Sequence, residues 1–271
     1  MSIWQALALG TLQGATEFLP ISSSGHLVLV PWWLNWPEPP LVFDVVVHLG
    51  TLMAVLMYFW RDWQVLLRAG LHALRNRTAS DPEARLLWLI ALGTVPAALA
   101  GLMLEGLFET TLSDPPLAAS FLLVTALVLA FSERASNSER TLTDLRFADA
   151  LIIGTAQALA IIPGLSRSGS TIAAGLTRGI SRPVAARFSF LLATPIIMGA
   201  GIKQGFDLLV GGEPLGNDMA VPLLVGFAGS LVVGYLCVWG LLRLLQRRRL
   251  YGFAAYCATF GTLSLVVALF A

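Results

Sequence analysis

The chain has 271 residues, 56% of them hydrophobic and only 12% charged, with a net charge of +1 and a mean hydropathy of +0.77. Soluble domains carry about 25% charged residues, so an ordinary water-soluble domain is excluded, and the near-zero charge gives no bulk attraction to nucleic acid. The period-2 alternation of an outer-membrane barrel is missing, which leaves an all-α polytopic membrane protein.

The N-terminal "MSIWQALALG" lacks the basic n-region and cleavage site of a signal peptide and reads as part of the mature fold. The first hydrophobic segment, 3–30, is broken by Pro, Ser and Gly at "LPISSSG". Three unbroken segments follow at about 41–60, 85–105 and 116–132. A second broken segment, 148–180, is interrupted at "IPGLSRSGS", and three more unbroken ones follow at about 184–205, 219–243 and 252–270. Each unbroken segment approaches or exceeds the roughly 18 apolar residues that suggest a membrane span. Cys237 and Cys257 lie in apolar runs and read as core or lipid-facing residues.

The two broken segments resemble each other. Shifted by 144 positions, Gly10, Thr11 and Gln13 fall on Gly154, Thr155 and Gln157. Ser22, Ser24 and Gly25 fall on Ser166, Ser168 and Gly169, while Pro20 and Pro163 miss by one. The expected architecture is a single integral membrane domain over 1–271, built from repeat 1 (about 1–135) and repeat 2 (about 145–271). Each repeat is a re-entrant hairpin plus three transmembrane helices. Three crossings per unit invert the second relative to the first, giving six full spans and two re-entrant helical hairpins.

Charge gives the orientation. The cations outside Lys203 and Arg167 gather in basic loops at 61–85, 133–147, 178–187 and 243–249. In this topology all four stretches share one face, which the positive-inside rule places in the cytoplasm. The loops at 106–115 and 206–218, with Glu109, Asp114, Asp207, Glu213 and Asp218, should face outward with both termini.

Interrupted backbone inside a bilayer is tolerated only where protein or a wet cavity satisfies it. Hairpins inserted from opposite faces can meet near mid-depth, a common way to build a polar site in a membrane. "SSSGH" and "SRSGST" offer hydroxyls, flexible backbone and a helix N-terminus, which favour phosphate. Arg167 adds a planar fork for two phosphate oxygens, or forms a structural ion pair with a buried acid. Ser22, Gly164, Ser166, Ser168 and Thr171 join it as candidate phosphate ligands. Glu17 is a proton carrier, a partner for Arg167, or a ligand for a divalent cation. Gln13, one turn earlier, shares its face, and this carboxylate and amide suit Mg²⁺ or Ca²⁺ with phosphates completing the shell. His26 is either structural or a proton-transfer group or nucleophile beside Ser23 and Glu17. His48 either faces the site or is a core histidine, and His72 reads as solvated.

At these residues the chain resembles the undecaprenyl-diphosphate phosphatases of the bacitracin-resistance type. Their first signature appears as Gln13, Glu17 and "PISSSGH", and their second as "PGLSRSGST", Pro163 to Thr171. Many members have Glu where this chain has Gln13. The resemblance covers nearly the whole chain. It implies a multi-pass enzyme of the bacterial inner membrane that cleaves the terminal phosphate from a C55 isoprenyl diphosphate, depends on a divalent cation, and opens outward to the periplasm. The expected attacking group is Ser23 assisted by His26, with His26 itself or an activated water as alternatives. A transporter or flippase of a phosphorylated lipid is the rival reading, since inverted broken helices are also a transporter design. Kinship with type-2 phosphatidic acid phosphatases fails, because their upstream Arg-Pro and downstream histidine are missing. The small-residue face "GFAGSLVVG", Gly226 to Gly234, suits helix packing within one protomer or in a homodimer.

Overall fold

The computed structural model describes residues 1–77, 81–111, 114–136, 139–211 and 217–270. Among them are eleven α-helices: α1 (Ile3–Phe18), α2 (Ser23–Trp33), α3 (Leu41–Tyr58), α4 (Trp60–Asn76), α5 (Pro82–Thr111), α6 (Pro115–Ala135), α7 (Phe147–Leu159), α8 (Arg167–Thr177), α9 (Arg182–Gly211), α10 (Ala220–Leu244) and α11 (Tyr251–Ala268). Six of these, α3, α5, α6, α9, α10 and α11, are long and apolar enough to cross a membrane. They coincide with the six unbroken hydrophobic segments. Both broken segments are helix–break–helix units, α1–α2 and α7–α8. At 11 residues each, α2 and α8 rise about 16 Å, roughly half of a hydrocarbon core.

Local chemistry sets the ends. Ser2 and Gln5 form a reciprocal capping box on α1. Ser22 and Ser166 cap α2 and α8, and Asp114 caps α6 just before Pro115.

Glycines set the closest crossings. A Cβ on Gly10 of α1 would lie 2.4 Å from the Gly226 oxygen of α10, and one on Gly154 of α7 would lie 2.1 Å from the Gly93 oxygen of α5. The two broken units therefore meet their partner helices in the same way. α6 packs along α11, where Gly261 sits against the Ala119 carbonyl. Phe18 of the first unit meets Phe190 of α9 edge-on, 5.4 Å between centroids.

The arginine-rich stretches touch one another. Arg85 donates to the carbonyls of Thr143 and Leu145. Arg182 pairs with Glu133, whose Oε2 also accepts from the Leu250 N–H. Arg187 pairs with Asp62. Asp149, at the start of α7, accepts from Arg178 just after α8 (2.8 Å) and from Arg140 (2.5 Å). The entry and exit of the second broken unit are thus side by side. At the first, Met1, Gln5 and Leu9 line one shallow cavity with Trp36, Pro37 and Glu38.

One element departs from expectation. The stretch after residue 60, read as a basic loop, is the amphipathic helix α4. Leu66, Gly70 and Ala73 face the protein, while Leu67, Leu71 and Leu74 stand exposed beside Arg68 and Arg75. That pattern suits a helix lying in a membrane interface. Of the expected outward acids, Glu213 and the side chain of Glu109 lie outside the described residues.

Candidate active site

The two breaks meet. A Cβ on Gly25 would stand 3.0 Å from the Gly164 Cα, and one on Gly169 would stand 3.5 Å from the Pro20 Cβ. The Ser168 hydroxyl donates to the Leu19 carbonyl across the junction, 3.1 Å. Neighbouring helices satisfy the interrupted backbone, as an apolar environment requires. The Thr125 hydroxyl of α6 donates to the Gly164 carbonyl and accepts from the Ser166 N–H, at 2.9 and 3.0 Å. On α11, the Cys257 thiol lies 3.8 Å from the Pro20 carbonyl. Gly164 has φ +88°, and a Cβ there would strike the Ala118 oxygen at 2.1 Å, so only glycine fits.

Glu17 is the hub. Arg167 Nη2 donates to its Oε1 at 2.9 Å across 150 positions of sequence. Ser23 Oγ donates to its Oε2 at 2.6 Å, and Gln13 Nε2 to the same oxygen at 3.0 Å. His48 Nε2 stands 4.0 Å from that oxygen, while its Nδ1 is bonded to the Asp44 carbonyl at 2.7 Å. Glu17 is 7% exposed and Arg167 15%. Two buried polar atoms here have no partner among the described residues, Gln13 Oε1 and Arg167 Nη1. One arm of the guanidinium holds the acid, and the other is a donor with nothing to bond. Such orphaned groups are costly unless a ligand meets them.

Gln13, Glu17, Ser23 and Arg167 are therefore gathered at one point. The expected pairing of Ser23 with His26 is not what the structure contains. Ser23 donates a hydrogen bond to Glu17, while His26 Nδ1 is engaged by the Ser22 carbonyl (2.7 Å) and Nε2 by the Tyr256 hydroxyl (2.8 Å). The physical reason is local: the Ser22 carbonyl, which accepts the His26 N–H at 3.3 Å, lies one helical turn before the buried ring and takes its Nδ1 as well. Four of the expected phosphate ligands also use their hydroxyls internally. Ser22 and Ser166 accept from the Gly25 and Gly169 N–H groups. Ser168 holds Leu19. Thr171, fully buried, is bonded to the Arg167 carbonyl and the Ser189 hydroxyl. Hydroxyls in an apolar interior cap backbone before they reach for ligands.

Sequence reading missed three residues. Thr125 and Tyr256 bond the breaks from α6 and α11, and neither carries a motif. Gln157 occupies the register of Gln13, and both polar atoms of its buried amide lack a partner among the described residues. The 144-residue repeat was the signal for it.

No group of three or more His, Cys, Asp or Glu is placed to hold a metal among the described residues. Glu17 and the orphaned Gln13 Oε1 supply two oxygen donors. This set fits a hard divalent cation that takes most of its shell from phosphate and water, and does not fit a cation caged by protein.

The comparisons with known proteins agree with one another. The family model described as bacitracin resistance protein BacA matches residues 6–263. Relatives named undecaprenyl-diphosphatase include one from Desulforudis audaxviator, 44% identical over 269 residues with 99% of each chain covered. Others are from Thermomicrobium roseum, 44% identical with 100% of each covered, and Geotalea daltonii, 45% identical with 98% of each covered. On a match over nearly the whole length, the chain belongs to the bacitracin resistance protein BacA family.

Proposed function

We propose that the chain is an integral membrane undecaprenyl-diphosphatase, which hydrolyses undecaprenyl diphosphate to undecaprenyl phosphate and inorganic phosphate and so recycles the cell-wall lipid carrier. The observation that carries the reading onto these residues is the 2.9 Å Arg167–Glu17 pair, which joins the two breaks with Ser23 at 2.6 Å on the same carboxylate.

The terminal phosphate docks on Arg167 through its unpartnered Nη1 and on the first amides of α8, which have no intrahelical acceptor. Ser23 Oγ passes its proton to Glu17 and attacks the terminal phosphorus. The bond from that phosphorus to the bridging oxygen breaks, and isoprenyl monophosphate leaves. Glu17 gives that proton to the departing monophosphate; water then cleaves the phosphoserine, with Glu17 taking a proton from the water and returning it to Ser23 Oγ as inorganic phosphate leaves. Arg167 stabilises charge on the transferring oxygens, and such positioning and electrostatics carry most phosphoryl transfer. Glu17 and Gln13 would hold the divalent cation, which supplies charge neutralisation on the phosphates when bound. His26 orients the tip and moves no proton.

The topology that supports this site is an inverted duplication with two re-entrant hairpins. Its support is the shared glycine crossings, the mutual contact of the two breaks, and the adjacency of Asp149 and Arg178 at the ends of the second hairpin. The site then opens to the outer face of the inner membrane, opposite the arginine-rich loops.

Purified protein in detergent, with no membrane to cross, should release one phosphate per lipid diphosphate. Chelator should suppress release, and Arg167→Ala should lower kcat by about 10²–10³. A native chain that binds the lipid but releases nothing overturns the enzyme reading in favour of a carrier. Full activity in chelator removes the cation from the site.

A further inference from the structure

His26 is 1% exposed, and both ring nitrogens are taken. The Ser22 carbonyl can only accept, so Nδ1 carries the proton and Nε2 is the acceptor. Among the described residues, the Tyr256 hydroxyl, 2.8 Å away on α11, is the donor to it. The ring lies nearly flat on Phe260 (4.8 Å, 11°) and Tyr256 (5.6 Å, 8°). The far end of this chain of contacts is the residue that most needs holding. Ser22 has φ 71° and ψ 102°, a conformation that non-glycine residues rarely adopt and that persists only when its surroundings fix it. Ser23 follows directly. Turning the Ser22 peptide would swing the Ser23 hydroxyl away from Glu17.

We infer that Tyr256 is a positioning residue for the reaction: through the neutral Nδ1–H form of His26 it clamps the strained Ser22, and so aims the Ser23 hydroxyl at Glu17. Phe260 fixes the plane of the imidazole. Among the described residues the second break has no such clamp. Ser166 has an ordinary φ of −67°, and Thr125 holds the backbone there directly. The asymmetry follows the chemistry, since the nucleophile belongs to the first break. This inference rests on the reading of Ser23 as nucleophile, and the experiment separates the two.

The chain has three histidines, so ¹⁵N-histidine labelling of the full protein in detergent resolves His26, assigned by loss of its signals in His26→Asn. In the native protein the signals so assigned should be those of an Nδ1-protonated ring with a hydrogen-bonded Nε2. Tyr256→Phe, which keeps the stacking, should move that Nε2 signal toward a free acceptor. It should also lower kcat about tenfold, the usual scale for an outer-shell partner, with KM changed less than about twofold. His26→Asn, whose amide can still donate to the Ser22 carbonyl, should recover about tenfold in kcat over His26→Ala. The clamp is wrong if Tyr256→Phe lowers only the melting temperature and leaves kcat unchanged, or if His26→Asn is as inactive as His26→Ala. Ser23→Ala decides the underlying reading separately. An active Ser23→Ala removes the nucleophile, whereas an inactive one beside a normal Tyr256→Phe removes only the clamp.

Discussion

At Glu17 one carboxylate accepts hydrogen bonds from a serine, an amide and a guanidinium, all in a nearly dry setting. Breaking a buried pair by removing one charge costs about 3–5 kcal/mol, because the other is left unpaired. Glu17→Gln should therefore lower the melting temperature as well as abolish turnover. Arg167→Lys separates these effects. It keeps the charge, so stability should fall by less than in Glu17→Gln. It loses the fork that holds Glu17 with one arm and phosphate with the other, so kcat should still fall about 10²-fold. Phosphate release and thermal melting, measured on one preparation of each variant, check both. An Arg167→Lys enzyme near native rate would reduce the fork to a point charge. The types and register of these residues were legible in the sequence, because a lone acid and a lone arginine inside apolar segments demand a partner. The use of each hydroxyl was not legible. Whether Ser168 meets phosphate or the Leu19 carbonyl depends on a neighbour 149 positions away, and no local pattern carries that.

Among the elements, the same glycine contact at two crossings is the sharpest feature. Gly154→Ala would put a methyl 2.1 Å from the Gly93 carbonyl oxygen, and Gly10→Ala one at 2.4 Å from that of Gly226. Both obstacles are backbone, so relief requires the helices to part. Overpacking of this kind costs about 1–3 kcal/mol. Both variants should melt earlier and lose activity together, since each crossing seats a helix that ends in the site. Gly199→Ala is the control, with nothing within 4 Å of its Cβ position. It should be neutral or slightly stabilising, as expected for Ala over Gly within a helix. Equal melting of all three would show that close backbone approach does not hold the hairpins. The six long helices and both breaks were readable from hydrophobic run length and from Pro, Ser and Gly. Helix α4 was not, because its apolar and basic residues interleave and a count of charge alone reads it as a loop. The strap from Tyr256 to His26 was invisible for a different reason, since its ends are 230 positions apart.

For the whole molecule the question is which way the protein faces, and internal contacts reduce it to one choice. The bonds of Arg85 to Thr143 and Leu145 tie the first two basic stretches together. Arg140 tied to Arg178 and Asp149 adds the third, and Glu133, shared by Arg182 and the Leu250 N–H, adds the last. These stretches cannot lie on different sides without breaking these hydrogen bonds and ion pairs, so they turn inward or outward together. In the topology proposed above, the positive-inside bias selects the cytoplasm, and the break carrying Ser23 and Glu17 enters from the opposite face. Single cysteines in a Cys237→Ala, Cys257→Ser background test this directly, the second change keeping a donor toward the Pro20 carbonyl. In intact cells an impermeant maleimide should label Asp218→Cys, which lies on an exposed turn between α9 and α10. It should reach Asn76→Cys, exposed at the end of α4, only after the membrane is opened. The reverse pattern would place the arginine face outside and the headgroup entrance inside. The enzyme would then act on lipid diphosphate in the inner leaflet, and outward recycling would need another protein to move the substrate first.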